Sequence, residues 1–130
     1  MTLSVVTAAK NENCNLNEWL SYHQKIGVNK VYLYCNDDDY EPMYKTVLPF
    51  IENGLVIFRH TPLPAPQVQV YAHMNWIYTY KNESSWVIFL DVDEYITLGE
   101  KVNSLEAYLY DTKMEVDCIY LNWFNYGHSE

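Results

Sequence analysis

Trp86-Val87-Ile88-Phe89-Leu90, running directly into Asp91-Val92-Asp93-Glu94 and then Tyr95-Ile96, is the stretch that decides the fold. Five consecutive apolar residues, rich in β-branched and aromatic side chains, predict a strand buried on both faces. Acids placed straight after such a strand emerge at its carboxyl end. In an open α/β sheet that is where ligands bind. Asp91 and Asp93 flank a single residue, so their carboxylates can converge on one hard cation. Mg²⁺ and Mn²⁺ take oxygen ligands and share them with substrate phosphates. A D-x-D here suits holding a nucleotide diphosphate through a metal. The plain alternative is an acidic strand end facing solvent, and the flanking chain has to separate the two.

Upstream, strand and helix patterns alternate. Leu3 to Ala8 predicts a short buried strand, followed by the polar loop Lys10-Asn11-Glu12-Asn13. Asn15 reads as a helix N-cap, with Glu18 completing a variant capping box. Leu16, Trp19, Leu20, His23 and Ile26 recur at helical spacing, and Gly27 stops the helix. Lys30 to Tyr34 predicts a second strand, ending in Asn36-Asp37-Asp38-Asp39. Pro42 fits the first turn of a second helix that runs to Glu52 and stops at Asn53-Gly54. Leu55 to Phe58 predicts a third strand, and Thr61 to Pro66 a proline-punctuated loop. Gln67 to Lys81 predicts a helix with Val70, Met74, Ile77 and Tyr78 on one face. Asn82 to Ser85 is a turn. Beyond the D-x-D, Ser104 to Tyr110 predicts a helix and Cys118 to Trp123 a fifth strand.

The resulting β-α-β-α-β-α-β-α-β order implies an α/β fold, a mostly parallel sheet flanked by helices on both faces with right-handed crossovers. Its length fits a single domain over 1–130. The chain stops just after the last expected strand, so truncation at the C-terminus is expected. In this topology the loops Lys10 to Asn13, Asn36 to Asp39 and Asp91 to Glu94 open on one sheet edge. Glu12, Asp37, Asp38, Asp91 and Asp93 would then share that edge. Mutually repelling acids gathered there are relieved by a divalent ion.

Composition narrows the function. The formal net charge of −9 argues against a nucleic-acid partner and against electrostatic docking on anionic lipid. No stretch approaches the length of a membrane span, which leaves peripheral association as the membrane contact still open. Cys14, Cys35 and Cys118 are widely spaced, with no C-x-x-C, which argues against zinc and for reduced thiols in a cytoplasmic setting. There is no P-loop, no G-x-G-x-x-G and no G-x-S-x-G, which argues against P-loop NTPases, Rossmann dehydrogenases and α/β-hydrolases. His23, on the apolar side of the first helix, reads as a packed, hydrogen-bonded residue; His60 and His73 are scattered. His128 reads as either a ligand or a packed residue. Gln67, Gln69 and Tyr71 suit either substrate contacts or a helix N-terminus. Trp123 and Tyr126 suit either a sugar platform or a core.

Lys10-Asn11-Glu12, Glu18-Trp19-Leu20 with Tyr22-His23, Ile26-Gly27-Val28, Tyr32 to Asn36, and Phe89 to Ile96 together resemble the bacterial family 2-like glycosyltransferases and the related family 92 enzymes. These carry a K-N-E loop, an E-W-x-x-Y-H helix and an F-[LI]-D-[VI]-D-E-[FY] strand. The resemblance implies a GT-A fold. It also implies a Mn²⁺- or Mg²⁺-dependent hexosyltransferase-like enzyme of polysaccharide or glycoconjugate assembly. A nucleotide sugar, with UDP-sugar the expected donor, would pass its sugar to a glycan or glycoconjugate acceptor. By that resemblance Asp93 would ligate the metal, Asp91 would contact the metal or the ribose, and Glu12 would lie near the nucleotide. Cys35 stands where relatives carry Asp after the second strand, leaving Asp37 or Asp38 as candidates for the base contact. The general base is not placed; Glu130 and positions past it are candidates. A non-catalytic module that binds nucleotide sugar or a partner is the alternative from another class. A nucleotidyltransferase is a third reading, weakened by the lack of a Gly-rich basic first loop.

Overall fold

The computed structural model of the chain describes residues 1–100, 102–112 and 116–124. Its elements run β1 (Leu3–Ala9), α1 (Asn13–Lys25), β2 (Lys30–Cys35), α2 (Glu41–Glu52), β3 (Val56–His60), α3 (Gln67–Tyr80), one 3-10 turn (Lys81–Glu83), β4 (Trp86–Phe89) and α4 (Leu105–Thr112). The strands form one parallel sheet in the order β3-β2-β1-β4. The expected α/β architecture is therefore present, with helices on both faces.

Alternation along the strands assigns the two faces. Leu3, Val5 and Ala9 of β1 and Val31, Leu33 and Cys35 of β2 pack with Leu16, Trp19 and Leu20 of α1 and Met43 and Val47 of α2. Val6, Tyr32 and Tyr34 point the other way and pack against Ala72 and Trp76 of α3. Both central strands are thus covered on each side, which is why their sequences read as nearly continuous apolar runs. Gly27 ends α1 at φ +114°, a left-handed conformation that favours glycine, and the chain turns there into β2.

Four expectations need correction. The fifth strand does not form: residues 118–123 pair with no strand among the described residues, and Tyr120 and Trp123 are exposed. Strand-like composition expresses a fit to a pleated, half-buried surface, and here that surface has no neighbour to pair with. β4 is an edge strand with Phe89 exposed, not a strand buried on both faces. α1 begins at Asn13, with Glu12 rather than Asn15 at the N-cap. The carbonyl of Glu12 accepts from the Asn15 and Leu16 amides, so the ladder starts earlier than a capping box at Asn15 allows. Finally, α3 turns Val70, Met74, Ile77 and Tyr78 outward and buries Val68, Ala72 and Trp76. The helix is apolar nearly all round, so spacing cannot choose its face. Small Ala72 permits close approach to the sheet. The Tyr34 hydroxyl, donating to Asn75 Oδ1 at 2.7 Å, fixes the rotation.

Candidate functional site

From β1 the chain winds outward through β2 to β3, then returns to place β4 on the other side of β1. The strand order reverses between β1 and β4. The carboxyl ends of β1 and β4 flank that reversal, and in open α/β sheets ligands bind outside the carboxyl ends of such neighbouring strands. The loops that border it are Lys10 to Glu12 and the segment beginning at Asp91.

Local bonding shapes the acidic segment. The Glu94 amide donates to the Asp91 carbonyl at 3.0 Å, closing a tight turn. Glu94 Oε1 in return accepts from the Asp91 amide at 2.9 Å. Val92 and Ile96 bury into the core, and Asp91 and Asp93 face out on either side of Val92. One oxygen from each of Asp91, Asp93 and Glu94 lies within 4.8 Å of the others. Among the described residues this is the cluster with the composition of a hard-cation site. Partial burial, then the charges of Glu94 and Asp93, push the Asp91 carboxyl above its usual range; nearby His73 opposes them. Carboxylates held in conflict and offering only oxygen donors fit Mn²⁺ or Mg²⁺.

That conflict has a measurable sign. A raised carboxyl pKa means that the folded state favours the protonated form, so this contribution to stability is lost as pH rises through the raised value. Without divalent ions, Asp91→Asn is expected to raise the melting midpoint at neutral pH slightly, since solvent screens an exposed carboxylate. The gap should shrink toward the ordinary carboxylate range. Melting curves of both proteins across that pH range check this, and a lower midpoint for Asp91→Asn at neutral pH would contradict it.

The other expected residues lie outside this cluster. Glu12 is half-buried, and its carboxylate accepts from Asn15 Nδ2 at 3.1 Å. Asp37 ties two loops together: its Oδ1 accepts the Asn11 amide at 2.8 Å, and its carbonyl bonds His60 Nε2 at 2.7 Å. Asn11 sits at φ 57°, a conformation asparagine tolerates. Asp38 is exposed on the same loop. The three loops do share the carboxyl edge of the sheet, but only Asp91, Asp93 and Glu94 converge. Asn36 is buried and bonds the Thr61 and Leu63 carbonyls, anchoring β2 to the proline-rich loop. Tyr126, His128 and Glu130 lie outside the described residues.

Three features escaped the sequence reading. Glu94 completes the acid cluster; its adjacency to the D-x-D was the available signal. His73 reaches the site from α3, its ring 4.3 Å from that of Phe89. Burial lowers its pKa and Asp91 acts to raise it. No spacing in the sequence connects it to residues 91–94. Asn13 Oδ1, in the first turn of α1, is buried without a hydrogen-bond partner.

His23 is buried and hydrogen-bonded, as its helical position suggested. Its Nδ1 bonds the Trp19 carbonyl at 2.8 Å and its Nε2 the Ile96 amide at 3.4 Å. A carbonyl only accepts and an amide only donates, so the ring is neutral with its proton on Nδ1. Burial, which lowers its pKa, agrees.

A model of the family described as glycosyltransferase family 92 matches residues 3–129. A glycosyltransferase family 92 protein from Ricinus communis is 30% identical over 108 residues, covering 81% of this chain and 19% of the relative's length.

Proposed function

The chain belongs to glycosyltransferase family 92, and on that premise we propose that it forms the donor-binding core of an enzyme that moves a sugar from a nucleotide sugar to an acceptor hydroxyl. The observation that carries this reading is the convergence of Asp91, Asp93 and Glu94 beside the strand-order reversal. Ligands of open α/β sheets bind outside the carboxyl ends of strands at such a reversal, which supports the reading. We read the arrangement as a GT-A type core, with a UDP-sugar as donor and a glycan or glycoconjugate as acceptor.

Asp91, Asp93 and Glu94 would hold Mn²⁺ or Mg²⁺. A divalent ion there supplies Lewis acidity toward the diphosphate leaving group. Asp93 is its principal ligand in this reading, with Asp91 turned to the ion or the ribose. Glu12 borders the nucleotide from the first loop. Asp38, exposed beside the tied Asp37, is the more available acid for the base, because the Asp37 carboxylate already holds Asn11. In transfer, the acceptor hydroxyl gives its proton to a general base as its oxygen bonds to the anomeric carbon, the bond from that carbon to the diphosphate oxygen breaks, and the nucleoside diphosphate leaves with the electron pair.

Calorimetric titration of the chain with UDP, with and without Mn²⁺, tests the reading. Binding that requires Mn²⁺ is the expected result. Equal binding in both conditions would remove the metal from the account. No binding in either, repeated with GDP and CMP, would overturn the donor-site assignment.

A further inference from the structure

The acidic turn is held from behind by one face of α1. Trp19 Nε1 donates to the Glu94 carbonyl at 2.7 Å, and the Tyr22 hydroxyl donates to the Ile96 carbonyl at 2.6 Å. His23 Nε2 accepts from the Ile96 amide. These positions are spaced i, i+3 and i+4, so the side chains stand together on one helix face. The Tyr95 ring closes the group, edge-on to Tyr22 at 5.1 Å and stacked on His23 at 5.7 Å. One turn further along, the Ile26 carbonyl accepts the Leu105 amide at 2.9 Å.

Each of these polar side-chain bonds ends on main chain between Glu94 and Ile96. Apolar side chains of the same volume would fill the core equally well. Hydrogen bonds to a backbone add something different, a fixed position for that backbone. The position matters because three carboxylates that repel one another would otherwise drift apart. A site left to close on binding loses affinity by the cost of ordering it.

The geometry points to Trp19, Tyr22 and His23 as positioning residues for donor binding: they pin the main chain of residues 94–96 and so keep Asp91, Asp93 and Glu94 converged before the cation arrives. The inference rests on the cation reading given above. It places the use of the aromatic α1 motif in the metal site, at one remove from the ligands, rather than in substrate contact.

Tyr22→Phe tests it, since the ring stays and only the hydroxyl bond to Ile96 is lost. The measurements are UDP affinity with and without Mn²⁺ by calorimetry, and the melting midpoint. Tyr22→Phe is expected to weaken Mn²⁺-dependent UDP binding about tenfold, the scale of outer-shell changes at metal sites. Without Mn²⁺ neither protein is expected to bind UDP. A purely structural hydroxyl would lower the midpoint and leave affinity of the folded protein untouched, and that result overturns the inference. If Tyr22→Phe folds poorly, Tyr95→Ala decides, because Tyr95 is exposed and its loss removes the ring that closes the group. A severalfold drop in Mn²⁺-dependent affinity for Tyr95→Ala supports positioning, and none overturns it. Failure of the unsubstituted chain to show any Mn²⁺ effect would instead strike the cation reading, which separates the two.

Discussion

On the proposed reading, Asp93→Ala is expected to abolish Mn²⁺-dependent donor binding and to lower sugar transfer by the protein at least about a hundredfold. Lewis-acid stabilisation of a leaving diphosphate is worth several kcal/mol. At about 1.4 kcal/mol per factor of ten, losing most of it costs at least about two decades in rate. The fold should stay intact. Asp93 is exposed, and an exposed substitution of this kind moves stability by no more than about 0.5 kcal/mol. Circular dichroism and melting establish the fold, and calorimetry and a donor-turnover assay establish the loss. Retained transfer in Asp93→Ala would show that the D-x-D holds no essential metal. Retained UDP binding by the unsubstituted protein, with no transfer from any donor, would favour a binding module over an enzyme.

Trp19→Ala should have the largest effect on stability. The residue is fully buried in the core between α1 and the sheet, and its indole N–H is bonded to the Glu94 carbonyl. Removing a buried Trp side chain costs about 3–5 kcal/mol through lost transfer energy and the cavity left behind. Leaving the Glu94 carbonyl without its donor adds to that. A domain of this kind has only about 5–15 kcal/mol in total, so Trp19→Ala should unfold at much lower urea. Urea denaturation followed by circular dichroism measures it. A midpoint shift equivalent to less than about 1 kcal/mol would mean that the cavity collapses or that α1 is not the backing of this sheet.

Much of this molecule was readable before any coordinate. Strands and helices were found in order through β4 because buried parallel strands and amphipathic helices carry different periods. Asp91 and Asp93 were legible for the same reason, since a strand end is a position that the pattern defines. His23 was legible as a packed residue because its helical spacing put it on the apolar face. Other features depend on what each segment meets in space. Val70 and Met74 of α3 are as apolar as Val68 and Ala72. Only the surface offered by Val6, Tyr32 and Tyr34 selects which set is buried. Cys118 to Trp123 has strand composition and no partner among the described residues, and pairing is a property of two segments.

The same division runs through the site. By itself the sequence determined the alternating α/β order and the carboxylates after β4, because both follow from local pattern and chain connectivity. Tertiary structure alone decided that β4 lies beside β1 on the side away from β2, and so where the strand order reverses. It also decided that Asp37 ties loops while Glu94 joins the acids, that His73 comes up against Phe89, and that Trp19, Tyr22 and His23 grip residues 94–96. Those contacts join residues far apart in the chain. No local period encodes them, because they exist only once the sheet has set the distance between its helices and its loops.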